Sequence, residues 1–328
     1  MEPTYLTIYQ ALLDGSDLSD IPQEILEKNL PRALVQAIAE QNTTVFISAE
    51  NHLNTMSNQG MTVSDCYRDI HAAKSVGKML GLLPSNGHMV TPTEFEKDFV
   101  RMWVLASELK DLTLCDQLFD YAVRVDITPL KCAEKSYGDE WWNIYRNLAQ
   151  RNEFVRLQKM ESVFGLLKQT LSVYYPKMSE MMRSPVFDAI HVITETIAFD
   201  AWDTYKLLLP MLASTRNSFS VKVIARACLT LDPKYLNKMF EVCTDRQQWI
   251  FDCFLEHTDE KNTVSLHQFL QQVENASDEC LQYLVSEAYN RNTTCREAIA
   301  QCAESVLQKK VLSEIVKNDG ASSKTLKI

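Results

Sequence analysis

Glycine is what this chain has least of: 8 residues in 328, about 2.4% where about 7% is usual. Phosphate- and dinucleotide-binding folds need glycine in their tight turns, and β-rich folds need it in their hairpins. So small a supply leaves little room for either, and helix is expected to dominate. Catalytic signatures are missing too. No Gly-x-x-x-x-Gly-Lys-Ser/Thr loop, no Gly-x-Ser-x-Gly elbow and no His-Glu-x-x-His pair occurs. Ser75-Val76-Gly77-Lys78-Met79 holds a Gly-Lys, but lacks the leading glycine and the hydroxyl that would meet Mg²⁺, and reads as helix. None of the nine cysteines forms a Cys-x-x-Cys pair, and no run of 18 apolar residues exists. The opening Met-Glu-Pro-Thr-Tyr-Leu-Thr has neither the basic nor the apolar region of a secretory signal. These absences together lead to the expectation of a cytoplasmic or nuclear chain, not secreted, with reduced thiols and no membrane span.

What is plentiful is acid. The formal net charge is −10, and 46% of the residues are hydrophobic, ample for a folded core. The charge is uneven: residues 1–150 carry 21 acidic and 12 basic residues, net −9, and the remaining 178 carry 22 and 21, net −1. Such a difference points to two bodies of different kind. An acidic surface repels phosphate backbones, so the expected partners are proteins, self-association included, and not nucleic acid.

Along the chain, Tyr5, Leu6, Ile8, Leu12 and Leu13 fit a short strand or a short helix, ending at Asp14-Gly15-Ser16. Asp20 is placed to cap a helix with Pro22 and Glu24 in its first turn, and a second helix is expected after Pro31. Thr43–Ser48, β-branched and aromatic, is the best strand candidate, followed by a polar loop over 49–63. Helix resumes over 64–83, and Pro84-Ser85-Asn86-Gly87 is a turn. Thr93 and Glu96 have capping-box spacing, and Phe95 to Val123 reads as two helices joined by a tight turn at Asp111-Leu112-Thr113. From 146 to Pro176 the pattern is one continuous amphipathic helix. Helix starts then recur at Ser184-Pro185, Asp200, Ser218, Asp232-Pro233, Thr244-Asp245, Thr263, Ser277-Asp278 and Thr294. That rhythm suits a helical array, an α-solenoid or an irregular bundle. The tail from Asn318 is expected to be disordered.

The segment Phe99 to Val123 resembles the late helical pair of the BTB/POZ and Skp1-like family. Leu105-Ala106, Leu109, Leu112, Leu114 and Leu118 stand in the family's apolar places. Upstream, Asp14-Gly15-Ser16-Asp17 followed by Ile21 to Leu26 is similar to its strand-to-helix passage, with Tyr5–Ile8 and Val45–Ser48 available as strands. The resemblance covers roughly residues 1–125. It implies a small α+β module and an adaptor that pairs with itself or docks on cullin-type scaffolds through the helical region.

The expected architecture is therefore mainly α. An acidic BTB/Skp1-like module over 1–127 precedes a helical array over 128–317 and a tail over 318–328. The expected function is a non-enzymatic interaction adaptor or scaffold. A structural subunit of a large assembly, such as a viral or cytoskeletal coat, is the alternative, and a cysteine- or zinc-dependent enzyme stands third. Cys253 and His257 share a helix face at i and i+4, with Cys243 and His267 each ten residues further out, but a core role for the cysteines is the simpler account. No catalytic, cofactor-binding or metal-binding residue is assigned. The candidate partner contacts are Phe99, Trp103, Leu109 and Leu118, on the helix pair through which the resemblance implies docking, and Trp141, Trp142 and Tyr145, because tryptophan and tyrosine concentrate binding energy at interfaces. Trp141 and Tyr145 share one helix face, with Trp142 about 100° away, set to seal a junction or meet a partner.

Overall fold

A computed structural model describes residues 4–84, 92–133, 139–215, 217–228, 232–257, 276–290, 300–301 and 303–312. Among these, helix dominates and no strand occurs. The mainly-α expectation holds. Contacts divide the chain into two compact units, Met1–Leu148 with Ser162–Phe164, and Ala149–Glu161 with Gly165–Ile328. Residues 128–148, read from sequence as the beginning of the array, pack with the first unit.

The first unit is built around one helix. It comprises α1 (Tyr5–Leu13), α2 (Gln23–Ala39), α3 (Thr43–Asn58), α4 (Ser64–Met79), α5 (Pro92–Glu108), α6 (Thr113–Val125), α7 (Pro129–Ala133) and the start of α8 (Glu140–Gln150). In α2, Leu26, Leu30, Ala33, Leu34, Val35, Ala37 and Ile38 are all buried. They occupy more than one face, so the helix needs cover on several sides. It packs against α1, α3, α4, α5 and α6. The expected second helix after Pro31 is instead the continuation of α2, with Pro31 inside it and buried. Proline removes one backbone donor and crowds the preceding turn. Here Arg32 donates to the Lys28 carbonyl in that turn, and its Nε lies 2.5 Å from Glu108 Oε2 on α5.

The strand expected at Thr43–Ser48 is helical. Asn42 caps α3 by accepting from the Thr44 N–H at 3.1 Å. Phe46, Ala49, Leu53 and Met56 then fall on one stripe, and all four are buried. That burial, about 1.5–3 kcal/mol for each large side chain, outweighs the few tenths of a kcal/mol that each β-branched residue costs a helix (roughly). The helix runs on to Asn58, through most of the segment expected as a loop. Tyr5–Leu13 resolves as helix, capped by Thr4. Tyr9 donates its hydroxyl to Glu40 and accepts from Asn42 Nδ2 at 3.3 Å, tying α1 to the turn between α2 and α3. The pair α5 and α6 and its tight turn stand as expected: Asp111 Oδ1 accepts from both the backbone and hydroxyl of Thr113, at 2.9 and 2.7 Å.

In the second unit, the single helix expected over 146–175 is three. It breaks between α8 and α9 (Phe154–Phe164), and between α9 and α10 (Leu166–Ser172). Asn152 and Gly165 stand at the two breaks in the left-handed region, φ +57° and +60°. Asn152 also accepts from the Thr204 N–H at 2.9 Å, so its side chain is committed to a turn and not to helix. Beyond lie α11 (Met178–Met181), α12 (Pro185–Ala198), α13 (Trp202–Leu208), α14 (Ser218–Cys228), α15 (Pro233–Val242), α16 (Gln247–His257) and α17 (Asp278–Asn290). The longer members pack in succession, α12 on α14, α14 on α16, α16 on α17. This is a repeat-like array. Starts at Ser184-Pro185, Ser218, Asp232-Pro233 and Ser277-Asp278 fall where expected. Asp232 accepts from the Lys234 N–H at 2.9 Å. At Asp200 the helix begins two residues later, and Thr244 opens a short 3₁₀ turn before α16. Starts at Thr263 and Thr294, the turn at Ser85–Gly87, the Thr93 side chain and the tail from Asn318 lie outside the described residues.

Gly77, in the segment that superficially echoes a phosphate loop, has a packing role. After α4 the chain folds back, and both Leu82 and Leu83 donate to the Gly77 carbonyl, at 2.9 and 3.1 Å. A Cβ on Gly77 would sit 2.5 Å from Leu83 Cδ1. Alanine gains about 1 kcal/mol of helix propensity, and overpacking costs about 1–3 kcal/mol. Gly77→Ala is therefore expected to lower stability by about 1 kcal/mol in urea unfolding, and adding Leu83→Ala should abolish the clash, so that the two substitutions are non-additive.

Candidate functional site

All seven side chains expected to meet a partner lie in the interior. Phe99, Trp103, Leu109, Leu118, Trp141 and Tyr145 have no exposure and Trp142 has 2%. None offers a surface to a partner as the chain stands. Large aromatics serve interfaces and cores alike, and here the core takes them. Phe99 meets Trp103 edge-on at 6.0 Å, Trp103 meets Trp141 at 5.1 Å, and Trp141 meets Phe164 at 5.2 Å. Phe119 joins through both Trp103 and Phe164. Trp103 Nε1 donates to Cys115 Sγ at 3.2 Å, whereas Trp141 Nε1 is buried without a hydrogen-bond partner.

Beside these aromatic positions in sequence is a cluster that residue types alone did not reveal. Asp69 of α4 is 3% exposed, and its Oδ1 lies 2.5 Å from Arg101 Nη2 of α5. The approach is not aligned as a hydrogen bond. Asp98 of α5 and Glu140 at the start of α8 are half-buried, and Glu140 Oε2 is buried with no hydrogen-bond partner. Burial pushes the Asp69 carboxyl up to about 6, against the opposing pull of Arg101 and Arg68. Burial raises Asp98 and Glu140 as well, opposed by Arg68, Arg101 and Lys97, and at Asp98 by His71 too. One signal could have found Asp69: it stands three residues after Cys66 and four before Ala73, in an apolar stripe where a carboxylate is out of place.

The thiols are poor candidates for chemistry. The described cysteines Cys66, Cys115, Cys132, Cys228, Cys243, Cys253 and Cys280 are all buried. Burial pushes the thiols of Cys66 and Cys243 up to about 11 and that of Cys228 to about 12, so these three stay protonated at neutral pH. Cys253 donates its S–H to the Lys222 carbonyl at 3.3 Å. The side chains of His257 and His267 lie outside the described residues, and the four-ligand zinc candidate lies there with them. Among the described residues no group of three or more His, Cys, Asp or Glu is placed to hold a metal ion. No helix is long and apolar enough to cross a membrane among them either.

What unit 1 does present outward from the α5–α6 pair is the far face of α6. Gln117, Asp120 and Val123 are exposed there, and Arg124 lies over the Tyr121 ring at 5.1 Å. In unit 2, Trp202 is flanked by Lys206 and Lys234, 5.6 and 5.5 Å from its ring. Lys234 also pairs with Asp200 at 2.8 Å, which accepts from the Tyr235 hydroxyl at 2.6 Å. Each of these cations is already held by the chain's own acids.

Comparison with protein-family models, with curated proteins and with solved structures finds no match to this chain.

The aromatic core makes its own forecast. Trp103→Ala should cost about 3–5 kcal/mol in urea unfolding, through a cavity and the lost Cys115 contact. Trp141→Phe removes an unsatisfied donor and keeps a ring, so its cost should be about 1 kcal/mol or less. Equal losses would contradict the stated difference between the two indoles.

Proposed function

We propose that this chain is a non-catalytic protein-interaction scaffold whose acidic first unit recognises a basic protein surface. The observation that carries the reading is how unit 1 distributes its groups. Its large anchors and its thiols are buried, while the outward face of α6 offers Gln117, Asp120 and Val123 on a body of net negative charge. The thiols of Cys66, Cys228 and Cys243 are too basic for nucleophilic work, which favours recognition over reaction. From the BTB/Skp1-like resemblance this reading keeps the helix pair α5–α6 as the docking element, with a cullin-type scaffold as the partner class that resemblance implies. The segments available as strands, Tyr5–Ile8 and Val45–Ser48, are helical, so the α+β part of the resemblance is not carried forward. Docking then runs through the exposed α6 face, and Phe99, Trp103, Leu109 and Leu118 support it from beneath.

A second reading, a structural subunit of a larger assembly, is favoured by one feature of unit 2. Val155, Tyr174 and Phe199 are 61%, 60% and 57% exposed, a large apolar exposure for three side chains of this size.

The two readings separate in one set of measurements. Quantitative affinity purification of the full chain should yield partners whose recovery falls at least fivefold in a Gln117→Lys/Asp120→Lys variant and falls with rising salt. An Asp203→Lys variant in unit 2 should retain them. Equal recovery from both variants would end the α6 proposal. Large species in light scattering that dissociate on Val155→Lys/Tyr174→Lys would favour the assembly reading instead.

A further inference from the structure

We propose that Asp69 and Arg101, with the carboxyl groups of Asp98 and Glu140 around them, form a pH-dependent latch that holds α4, α5 and the start of α8 together more firmly at mildly acidic pH than at neutral pH.

The geometry comes first. Asp69 is almost wholly buried, its partner Arg101 is half-buried, and their contact is an ion pair without an aligned hydrogen bond. A buried pair of this kind recovers its desolvation cost only when well aligned and fully bonded. Glu140 adds a second buried carboxylate oxygen with no partner. From α4, Asp65 and Arg68 face Asp69, and from α5, Arg101 and Asp98 do. Lys97 and His71 face Asp98, and Lys97, Arg68 and Arg101 face Glu140. Cys66 of α4 faces Asp69 as well, and Glu27 of α2 faces that thiol; of the other charges on elements packed against α4, Arg32 of α2 is held by Glu108 and Glu50 of α3 by Lys74. Four carboxyl groups, Asp65, Asp69, Asp98 and Glu140, therefore share three permanent cations, Arg68, Arg101 and Lys97. Taking up a single proton balances the cluster.

Asp69 is the group placed to take it, since its carboxyl is pushed up to about 6 from 3.8. A carboxyl whose pKa is raised on folding holds its proton more tightly in the native chain than in the unfolded one. Between those two values the native state binds the extra proton, so stability falls as pH rises and levels off above about 6–7. The direction is opposite to that of an ordinary salt-bridged carboxylate, which loses stability in acid. In cells, the consequence is a first unit whose α4–α5 contact is looser at neutral pH and tightens on entry into a mildly acidic environment.

The test is amide hydrogen exchange by mass spectrometry on the full chain at pH 5.0 and 7.5, corrected for intrinsic exchange. Protection in peptides from α4 and α5 should fall about tenfold between the two, while peptides from α12 and α14 in unit 2 serve as the internal reference. Asp69→Asn should remove most of that difference, and Glu140→Gln should reduce it. Glu140→Gln also stands in if Asp69→Asn does not fold. His71→Gln should leave the difference in place. Equal or rising protection of α4 and α5 at pH 7.5 would overturn the proposal. So would an Asp69→Asn or Glu140→Gln variant with the full wild-type difference, or its loss in His71→Gln.

Discussion

A helix buried on several sides has to be covered on several sides, and α2 imposes that demand on the whole first unit. Gln23, Glu24, Glu27 and Lys28 of its first turns face solvent, but from Leu30 to Ile38 its leucines, alanines, Val35 and Ile38 are buried on more than one face, so α1, α3, α4, α5 and α6 are all drawn against it. Such a helix cannot be stable alone in water. Its order and that of its five neighbours arise together, which gives unit 1 one cooperative core. Pro31 fits this arrangement because its ring is buried, so it adds packing where it removes one backbone donor.

Once the apolar groups have set the frame, the polar groups that fall inside it meet different fates. Where a backbone group is at hand they are satisfied: Gln247 is buried yet donates to the Phe240 carbonyl at 2.9 Å and accepts from the Ser277 N–H at 2.9 Å, and the Tyr205 hydroxyl donates to the Tyr235 carbonyl at 2.9 Å. Asp69 Oδ1 has no hydrogen-bond partner and leans on the charge of Arg101, with Arg68 further off. The ion pairs Arg32–Glu108 and Lys74–Glu50 keep a quarter or more of each side chain in water, where a pair is inexpensive and nearly neutral to stability. The contrast explains why one charged cluster of unit 1 stands out while the rest are unremarkable.

The sequence was informative where local chemistry and burial agree. The turn at Asp111–Thr113 and the start at Pro233 follow from a capping side chain beside an apolar-periodic run, and the start at Pro185 from a proline at the first helical position; tertiary structure leaves them in place. It misled where the two diverge. Thr43 to Ser48 has β-branched composition, yet its apolar residues continue at helical spacing through Leu53 and Met56 behind the Asn42 cap, and the longer pattern prevails. The polar residues between them disguised the stripe as a loop. At Asn152 and Gly165 the apolar rhythm runs across a break that only backbone conformation defines. The buried anchors show a further limit: residue type marks Trp103 and Trp141 as energetically important, but whether they face a partner or a core depends on which helices close over them. Of the candidate site, only the helix pair α5–α6 was legible, and which of its faces is exposed was not.

The shortage of glycine leaves a trace in the joints between helices. Asp126, Asn152 and Asp200 adopt the left-handed conformation that glycine would take without strain. Each also uses its side chain: Asp126 holds Lys131, Asn152 holds the Thr204 N–H, and Asp200 holds Lys234 and Tyr235. In a glycine-rich protein these bends would be passive hinges, suited to receiving an inserted tag or to being cut for a split reporter. Here each bend is also a brace, local at Asp126 and long-range at Asn152 and Asp200, so dividing the chain at one of them severs a side-chain tie along with the backbone. Fusion and fragment designs for this molecule are better aimed away from its corners.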